Sequence, residues 1–267
     1  MGARSLSSIA LISDVHGNLP ALEAVLADVR GQGVNETYCL GDLVGYGGDP
    51  NGVVDLIRTT GIPTIMGNYD DGVGFERGHC GCFYPDAEAQ RLGTASYEFT
   101  SRVVTEENKA FLRSLPRELR RDFDGRHVHL VHGSPRRINE YLLPTRDRRT
   151  FERIAAVESA DVLVFGHTHQ AWHEAFARVL FVNVGSAGRP KDGDPRASYT
   201  IMHFGTRAQA PVSEAKSAAA DVAADLAGQL VLEVVEMRVS YDVELAASEV
   251  LSVGLPAELA EVLRRGG

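Results

Sequence analysis

The chain has 267 residues, 44% of them hydrophobic and 24% charged, enough apolar material for one large soluble domain. With 36 acidic against 27 basic residues its net charge is −9, which argues against a nucleic-acid binder that relies on phosphate neutralisation. Three cysteines, residues 1–8 without the apolar region of a secretory signal, and no run of membrane-spanning length predict a cytoplasmic protein with free thiols and no membrane contact.

The apolar run 9–13 predicts a buried strand that ends at Asp14 and His16. Asn18 is placed to cap a helix in which Leu22, Val25, Leu26 and Val29 recur at helical spacing before Gly31 and Gly33. A second strand is expected at 37–40 before Gly41-Asp42, a helix at about 53–58 stopping at Gly61, and a third strand at 62–66 before Gly67-Asn68-Tyr69-Asp70. This alternation predicts a mainly parallel α/β sheet in the first part of the chain. Residues 72–81, with four glycines and His79-Cys80-Gly81-Cys82, read as a loop, and 86–100 and 106–114 as helices. Strands at 119–123 and 126–131 form a hairpin about Asp124-Gly125 and end at His132-Gly133. A helix at 150–158 leads into a strand at 162–165 that ends in Gly166-His167-Thr168-His169, and a strand at 179–182 is closed by a turn at 183–189. Strands at 199–204 and 230–239 pair across an alanine-rich stretch, 206–229, expected to be a mobile excursion. Two short helices broken at Gly254-Leu255-Pro256 occupy 243–265. Residues 1–267 are read as a single domain with its core at about 8–204 and a C-terminal strand and helices at 230–267.

Five strand ends thus carry Asp14 with His16, Asp42, Asn68, His132, and His167 with His169. Residues i and i+2 of an extended segment point the same way, and α/β sheets bind ligands beyond the C-terminal ends of their strands. Oxygen and nitrogen donors without thiolate suit manganese, iron, zinc or nickel. Seven ligands are too many for one such ion and match two that share a carboxylate, the arrangement that serves in-line displacement at phosphorus. His79, His127, His129, His173 and His203 read as structural or surface residues, although His79 lies close enough to Asn68 in sequence to return to the site. Arg136, Arg137 and Arg189 follow strand-end turns, from which a guanidinium fork could reach a phosphate.

Asp14-x-His16, Gly41-Asp42, Gly67-Asn68, His132 and Gly166-His167-Thr168-His169 together resemble the calcineurin-like metallophosphoesterases, in particular their small bacterial-type phosphodiesterase branch. The resemblance spans residues 8–204 and implies an α/β four-layer sandwich: two mixed β-sheets flanked by α-helices, with the metal site at the C-terminal ends of the strands. It implies that Asp14, His16 and His169 hold one divalent ion, that Asn68, His132 and His167 hold a second, and that Asp42 bridges them. A hydroxide bridging the two ions would then be the nucleophile; Mn²⁺ or Fe²⁺ is favoured, with Ni²⁺ or Zn²⁺ as alternatives. The family's usual motif continues from Asn with a histidine, which protonates the leaving group, and an acidic residue; here Tyr69 and Asp70 follow. A phenol titrates near 10 and an imidazole near 6.5, so Tyr69 is the less well matched acid at neutral pH. Tyr69 and Asp70 are therefore the catalytic candidates, with pocket shaping the alternative for Tyr69. The substrates implied are small phosphodiesters or activated phosphate esters, with no nucleic-acid or membrane partner expected. A protein or nucleotide phosphomonoesterase using Tyr69 or His79 is the second reading, and a metal-binding interaction scaffold of the same fold the third. Oligomeric state is not encoded in these motifs.

Overall fold

The computed structural model describes residues 7–206, 221–224 and 230–267. Strand β1 (Ser7–Ile12) is followed by helix α1 (Leu19–Gln32), β2 (Glu36–Cys39), α2 (Pro50–Thr60), α3 (Asn68–Gly74), α4 (Ala87–Val103) and α5 (Glu106–Ser114). The hairpin β3 (Glu118–Phe123) and β4 (Arg126–Val131) precedes α6 (Arg148–Val157), β5 (Val162–Phe165), β6 (Ala171–Phe176) and β7 (Val179–Val184). Then come β8 (Ala197–Thr206), β9 (Asp221–Ala224), β10 (Leu230–Val239), α7 (Val243–Ser252) and α8 (Ala257–Arg265).

The strands form two five-stranded sheets, ordered β2-β1-β8-β10-β9 and β3-β4-β5-β7-β6. Both are mixed. In the first, β1 and β2 are parallel, as the alternation at this end of the chain predicts, and the sheet becomes mixed because β8, β10 and β9 from the C-terminal part of the chain add antiparallel pairings. The second has a parallel centre, β4-β5-β7, with an antiparallel strand at each edge.

Alternation along β1 sets the layers, since successive side chains face opposite sides of a sheet. Ile9 and Leu11 join Val128, Leu130, Val162, Val164, Val182, Met202 and Phe204 in a core between the sheets. Ala10 and Ile12 face the other way, onto Leu22, Val25, Leu26 and Val29 of α1. On the outer face of the second sheet, Phe151 and Ile154 of α6 pack on Leu163, Phe165 and Phe181. A strand covered on both faces is apolar throughout, and each such aliphatic side chain contributes about 1.5–3 kcal/mol through burial. The fold is therefore the four-layer α/β sandwich of two mixed sheets flanked by helices. Local chemistry agrees with it: the Asn18 side chain caps α1 by accepting from the Ala21 N–H, and Asp124 and Gly125 both take positive φ in the hairpin turn.

Four expectations change. The third strand, 62–66, reduces to a single parallel bridge between Cys39 and Thr64, because Pro63 offers no N–H and the chain turns into α3 at once. Helix α3 also takes in Gly72 and Gly74, which had read as loop. Strand β6 was not anticipated: as an edge strand its polar His173 and Glu174 break the apolar run. The free thiols expected at Cys80 and Cys82 are instead a disulfide, since Gly81 at φ 68 turns the chain and leaves the two Cα atoms 5.4 Å apart; Cys39 stays free and buried. Of the stretch expected as a mobile excursion, Asp221–Ala224 forms edge strand β9, and the remainder lies outside the described residues apart from Thr206 at the end of β8. No helix among the described residues is long and apolar enough to cross a membrane.

Candidate metal centre

All seven candidate ligands lie at or just beyond strand ends or, for Asn68, at the start of α3, and all are buried. Five of them hold left-handed backbone: Asp14 (φ 54), His16 (φ 51), Asp42 (φ 53), His167 (φ 65) and His169 (φ 61). Such a conformation costs a non-glycine residue on the order of 1–3 kcal/mol, and strain of this kind collects at functional sites. Neighbouring loops hold the strained turns in place. The Asp14 N–H donates to Gly41 O and the His16 N–H to Asp42 O, both at 2.9 Å. Gly67 is required for the approach of the Asn68 turn, because a Cβ there would lie 2.1 Å from Asp42 Oδ1.

The side chains converge as two groups, Asp14 with His16 and His169, and Asp42 with His132 and His167, the ligand atoms of each lying within 4.8 Å of one another. In the first group His16 Nδ1 faces Val44 O at 3.0 Å and His169 Nδ1 faces Arg189 O at 2.6 Å. A carbonyl only accepts, so both rings carry their hydrogen on Nδ1 and aim the Nε2 lone pair inward. Those two Nε2 atoms are 3.1 Å apart, and Asp14 Oδ1, 3.2 Å from His169 Nε2, has no hydrogen-bond partner. Burial lowers the pKa of both imidazoles, for His16 with further help from His169 and for His169 from Lys191, so neutral rings are favoured. Neutral lone pairs opposed at this distance beside an unpartnered carboxylate oxygen call for a cation between them.

In the second group Asn68 donates its amide to Cys80 O at 3.1 Å and Cys82 Sγ at 3.3 Å, which turns Oδ1 towards His132 Nε2 at 3.0 Å. Burial alone would lower the pKa of His132, but the carboxylates of Asp42 and Asp14 raise it to about 10, so this corner favours positive charge, proton or metal. His167 is held well below the usual imidazole range by burial and by His132, and its buried Nε2 has no partner. Asp42 lies between the groups: Oδ1 accepts the Tyr69 N–H at 2.8 Å, while Oδ2 is 3.7 Å from His16 Nε2 and 3.4 Å from His132 Nε2. Asp14 lies well below the usual carboxylate range; burial opposes this, and His169, His132 and His16 outweigh it.

The two residues after Asn68 are placed differently from the ligands. Asp70 is fully buried and accepts the backbone N–H groups of Asp42 (2.8 Å), Leu43 (2.9 Å) and Gly67 (2.9 Å), tying two ligand-bearing loops together. Burial and the Asp42 carboxylate push it up to about 7 against those bonds. The Tyr69 ring is enclosed, 5.0 Å from the Tyr46 ring, and its buried hydroxyl points among the polar groups of Tyr46, Tyr84 and Ser96. Burial, then Tyr46 and Tyr84, push that phenol well above its ordinary pKa.

Several supporting residues had no distinct signal in the sequence. Ser13 Oγ and the His167 N–H both donate to Asp14 Oδ2, at 2.6 and 2.9 Å. Asn183 braces the turn between His167 and His169 through Gly166 O and Thr168 Oγ1, and Ser186 Oγ donates to Asp14 O. Asn18, expected from the sequence as the α1 cap, does cap that helix and also donates to Gly188 O. Lys191 is part-buried behind His169, and burial followed by Arg189 lowers it to about 7. The Arg189 guanidinium lies 4.1 Å from the Tyr46 ring centre, whereas Arg136 is exposed and paired with Glu140 and Arg137 is exposed. Among the other histidines, His129 is buried between Glu118 and Glu158, His127 pairs with Asp122 at the surface, and His79 is exposed.

The sequence profile of the calcineurin-like phosphoesterase superfamily domain matches residues 8–207. The chain belongs to that superfamily. This phosphoesterase, a hydrolase of phosphoric esters, is 35% identical over 213 residues to an uncharacterized protein of Methanocaldococcus jannaschii, a match covering 73% of this chain and 82% of the relative. It is 27% identical over 193 residues to the phosphodiesterase YfcE of Escherichia coli, covering 71% and 84%. Among solved structures, a metallophosphoesterase from Sphaerobacter thermophilus superimposes with a TM-score of 0.70 at 27% identity, over 97% of this chain and 100% of that one.

Proposed function

We propose that this phosphoesterase hydrolyses small phosphodiesters and activated phosphate esters with two divalent ions. The observation that carries the reading is the pair of neutral imidazole lone pairs opposed at 3.1 Å in the first group, with a second donor set beside it and Asp42 Oδ2 between the two. Asp14, His16 and His169 would hold one ion, Asn68, His132 and His167 the other, and Asp42 would be shared. When bound, two such ions polarise phosphoryl oxygens and bring the pKa of water towards neutrality, providing the nucleophile. Manganese or iron suits this oxygen and imidazole set best, with nickel or zinc next.

The chain's own residues do the positioning. Ser13 and the His167 N–H fix the face that Asp14 presents, Asn183 sets the His167–His169 turn, and Asp70 clamps the Asp42 and Asn68 loops. Arg189, which forms no ion pair among the described residues, supplies positive charge on the His169 side for an anionic ester. Position 69 offers no imidazole and its phenol is enclosed, which favours leaving groups that depart with little help from a proton. The relation to a phosphodiesterase supports the same preference. A small-molecule substrate rather than a nucleic acid accords with the net charge of −9.

The test is to reload purified protein with Mn²⁺ and compare bis(4-nitrophenyl) phosphate with 4-nitrophenyl phosphate. The diester should turn over faster, and Asp42→Asn should lower its kcat/KM at least about a hundredfold. An unchanged Asp42→Asn rate would remove the shared-carboxylate mechanism, and a strong monoester preference would turn the reading to a phosphomonoesterase.

A further inference from the structure

Five of the eight tyrosines of this chain gather at the metal centre. Two of them, Tyr69 and Tyr97, are buried at 1% and 7% exposure and belong to the hydrophobic core. The other three are only part-buried and come from three separate loops: Tyr46 after β2, Tyr84 before α4 and Tyr141 after β4. They flank both ligand groups. The Tyr46 ring lies 5.1 Å from the His16 ring in the first group, and the Tyr141 ring 4.1 Å from the His167 ring in the second. Tyr84 is near Tyr46 and is held from behind, its hydroxyl 3.4 Å from Cys80 Sγ and its ring against Gly93. Its neighbour Phe83 is 73% exposed and meets the Tyr141 hydroxyl through its backbone. Arg189 lays its guanidinium over Tyr46.

Core packing explains the two enclosed rings and part of Tyr46 and Tyr84, which rest against the core, but not Tyr141 or the exposed Phe83, which belong to none of the core clusters. We propose that Tyr46, Phe83, Tyr84, Tyr141 and Arg189 form a rim that receives a planar aromatic substituent of the phosphoester, a nucleobase or an aryl group. This rests on the phosphoesterase reading and extends it to substrate class. A phosphate placed between the ligand groups has its ester substituent within reach of these rings, and aromatic faces and a guanidinium plane both stack on flat π-systems. The Tyr84 and Tyr141 phenols stay uncharged at neutral pH: burial and the proximity of Tyr46 raise Tyr84 to about 12, and burial raises Tyr141 above the ordinary tyrosine range. They therefore do not repel the phosphate. A purely aliphatic ester would bury no comparable flat surface here.

Isothermal calorimetry on the Mn²⁺-loaded protein tests this with three probes that share a monoester phosphate: adenosine 5′-monophosphate, phenyl phosphate and ribose 5-phosphate. The nucleotide should bind at least about tenfold more tightly than the sugar phosphate, in line with the worth of one stacked base. The double variant Phe83→Ala/Tyr141→Ala should lose at least about fivefold in nucleotide affinity while the sugar phosphate moves less than about twofold; circular dichroism shows whether the variant is folded. Phenyl phosphate matching the nucleotide would support the rim as a general aryl site, and a clear preference for the nucleotide would support it as a nucleobase site. Equal affinity for all three probes, or a folded double variant with undiminished preference, would overturn the rim while leaving diester hydrolysis standing. Failure to bind any probe together with failure to cleave the nitrophenyl diester would overturn both readings.

Discussion

At the scale of single residues, Tyr69 shows how one position can contribute through its main chain more than its side chain. Its N–H donates to Asp42 Oδ1, which leaves Oδ2 as the oxygen facing both ligand groups, while its ring packs beneath Tyr46 and against Gly45. A hydroxyl that is buried and raised in pKa is poorly placed to give its proton to a departing oxygen. Tyr69→Phe should accordingly keep kcat/KM within about twofold for leaving groups of both low and high pKa, as measured on a series of substituted phenyl diesters. A loss confined to the poor leaving groups would restore the phenol as the acid. The identities of the ligands could be read at this scale, because Asp, Asn and His are the donor types such ions take and each sits where an apolar run stops. Their left-handed backbone could not, since positive φ at Asp14, His16 and His167 is imposed by hydrogen bonds from other loops.

At the scale of elements, the site is a set of loops fastened to one another. Asp70 receives three N–H donors from the turns that carry Asp42 and Asn68, and no water reaches it. Asp70→Ala would leave these donors buried and unpaired, at about 1–3 kcal/mol for each that finds no substitute. Urea unfolding of the metal-free variant should show a loss of about 2–4 kcal/mol after partial relaxation; an unaltered midpoint would mean the loops hold without the bracket. Elements with strong local signals were legible: the capped α1, the Asp-Gly hairpin and the glycine-ended α2 match their predicted places. The misread elements lack such signals. Residues 62–66 have strand-like composition but only one bridging partner, and β6 is polar because a single neighbour and solvent share its faces.

At the scale of the whole molecule, the two ligand groups join both sheets, because His16 and Asp42 follow strands of the first and His132 and His167 follow strands of the second. Ions held there would fasten the layers together and would bind only the folded chain. At a free metal concentration a hundred times Kd this linkage is worth about 2.7 kcal/mol. Mn²⁺ should therefore raise Tm by several degrees, a chelator should reverse the shift, and His169→Ala should diminish it in a thermal scan. A metal-independent Tm would speak against a centre that spans the sheets. The sequence by itself determined the donor types, their order and their positions at the ends of apolar strands, because strand periodicity, caps and turns act over a few residues. Only the tertiary structure decided that His16 meets His169 across 153 positions, that Asp42 lies between the groups, that Tyr69 is enclosed and that three loops bring tyrosines to one rim. Those relations depend on how the two sheets pack, and no short-range pattern carries that information.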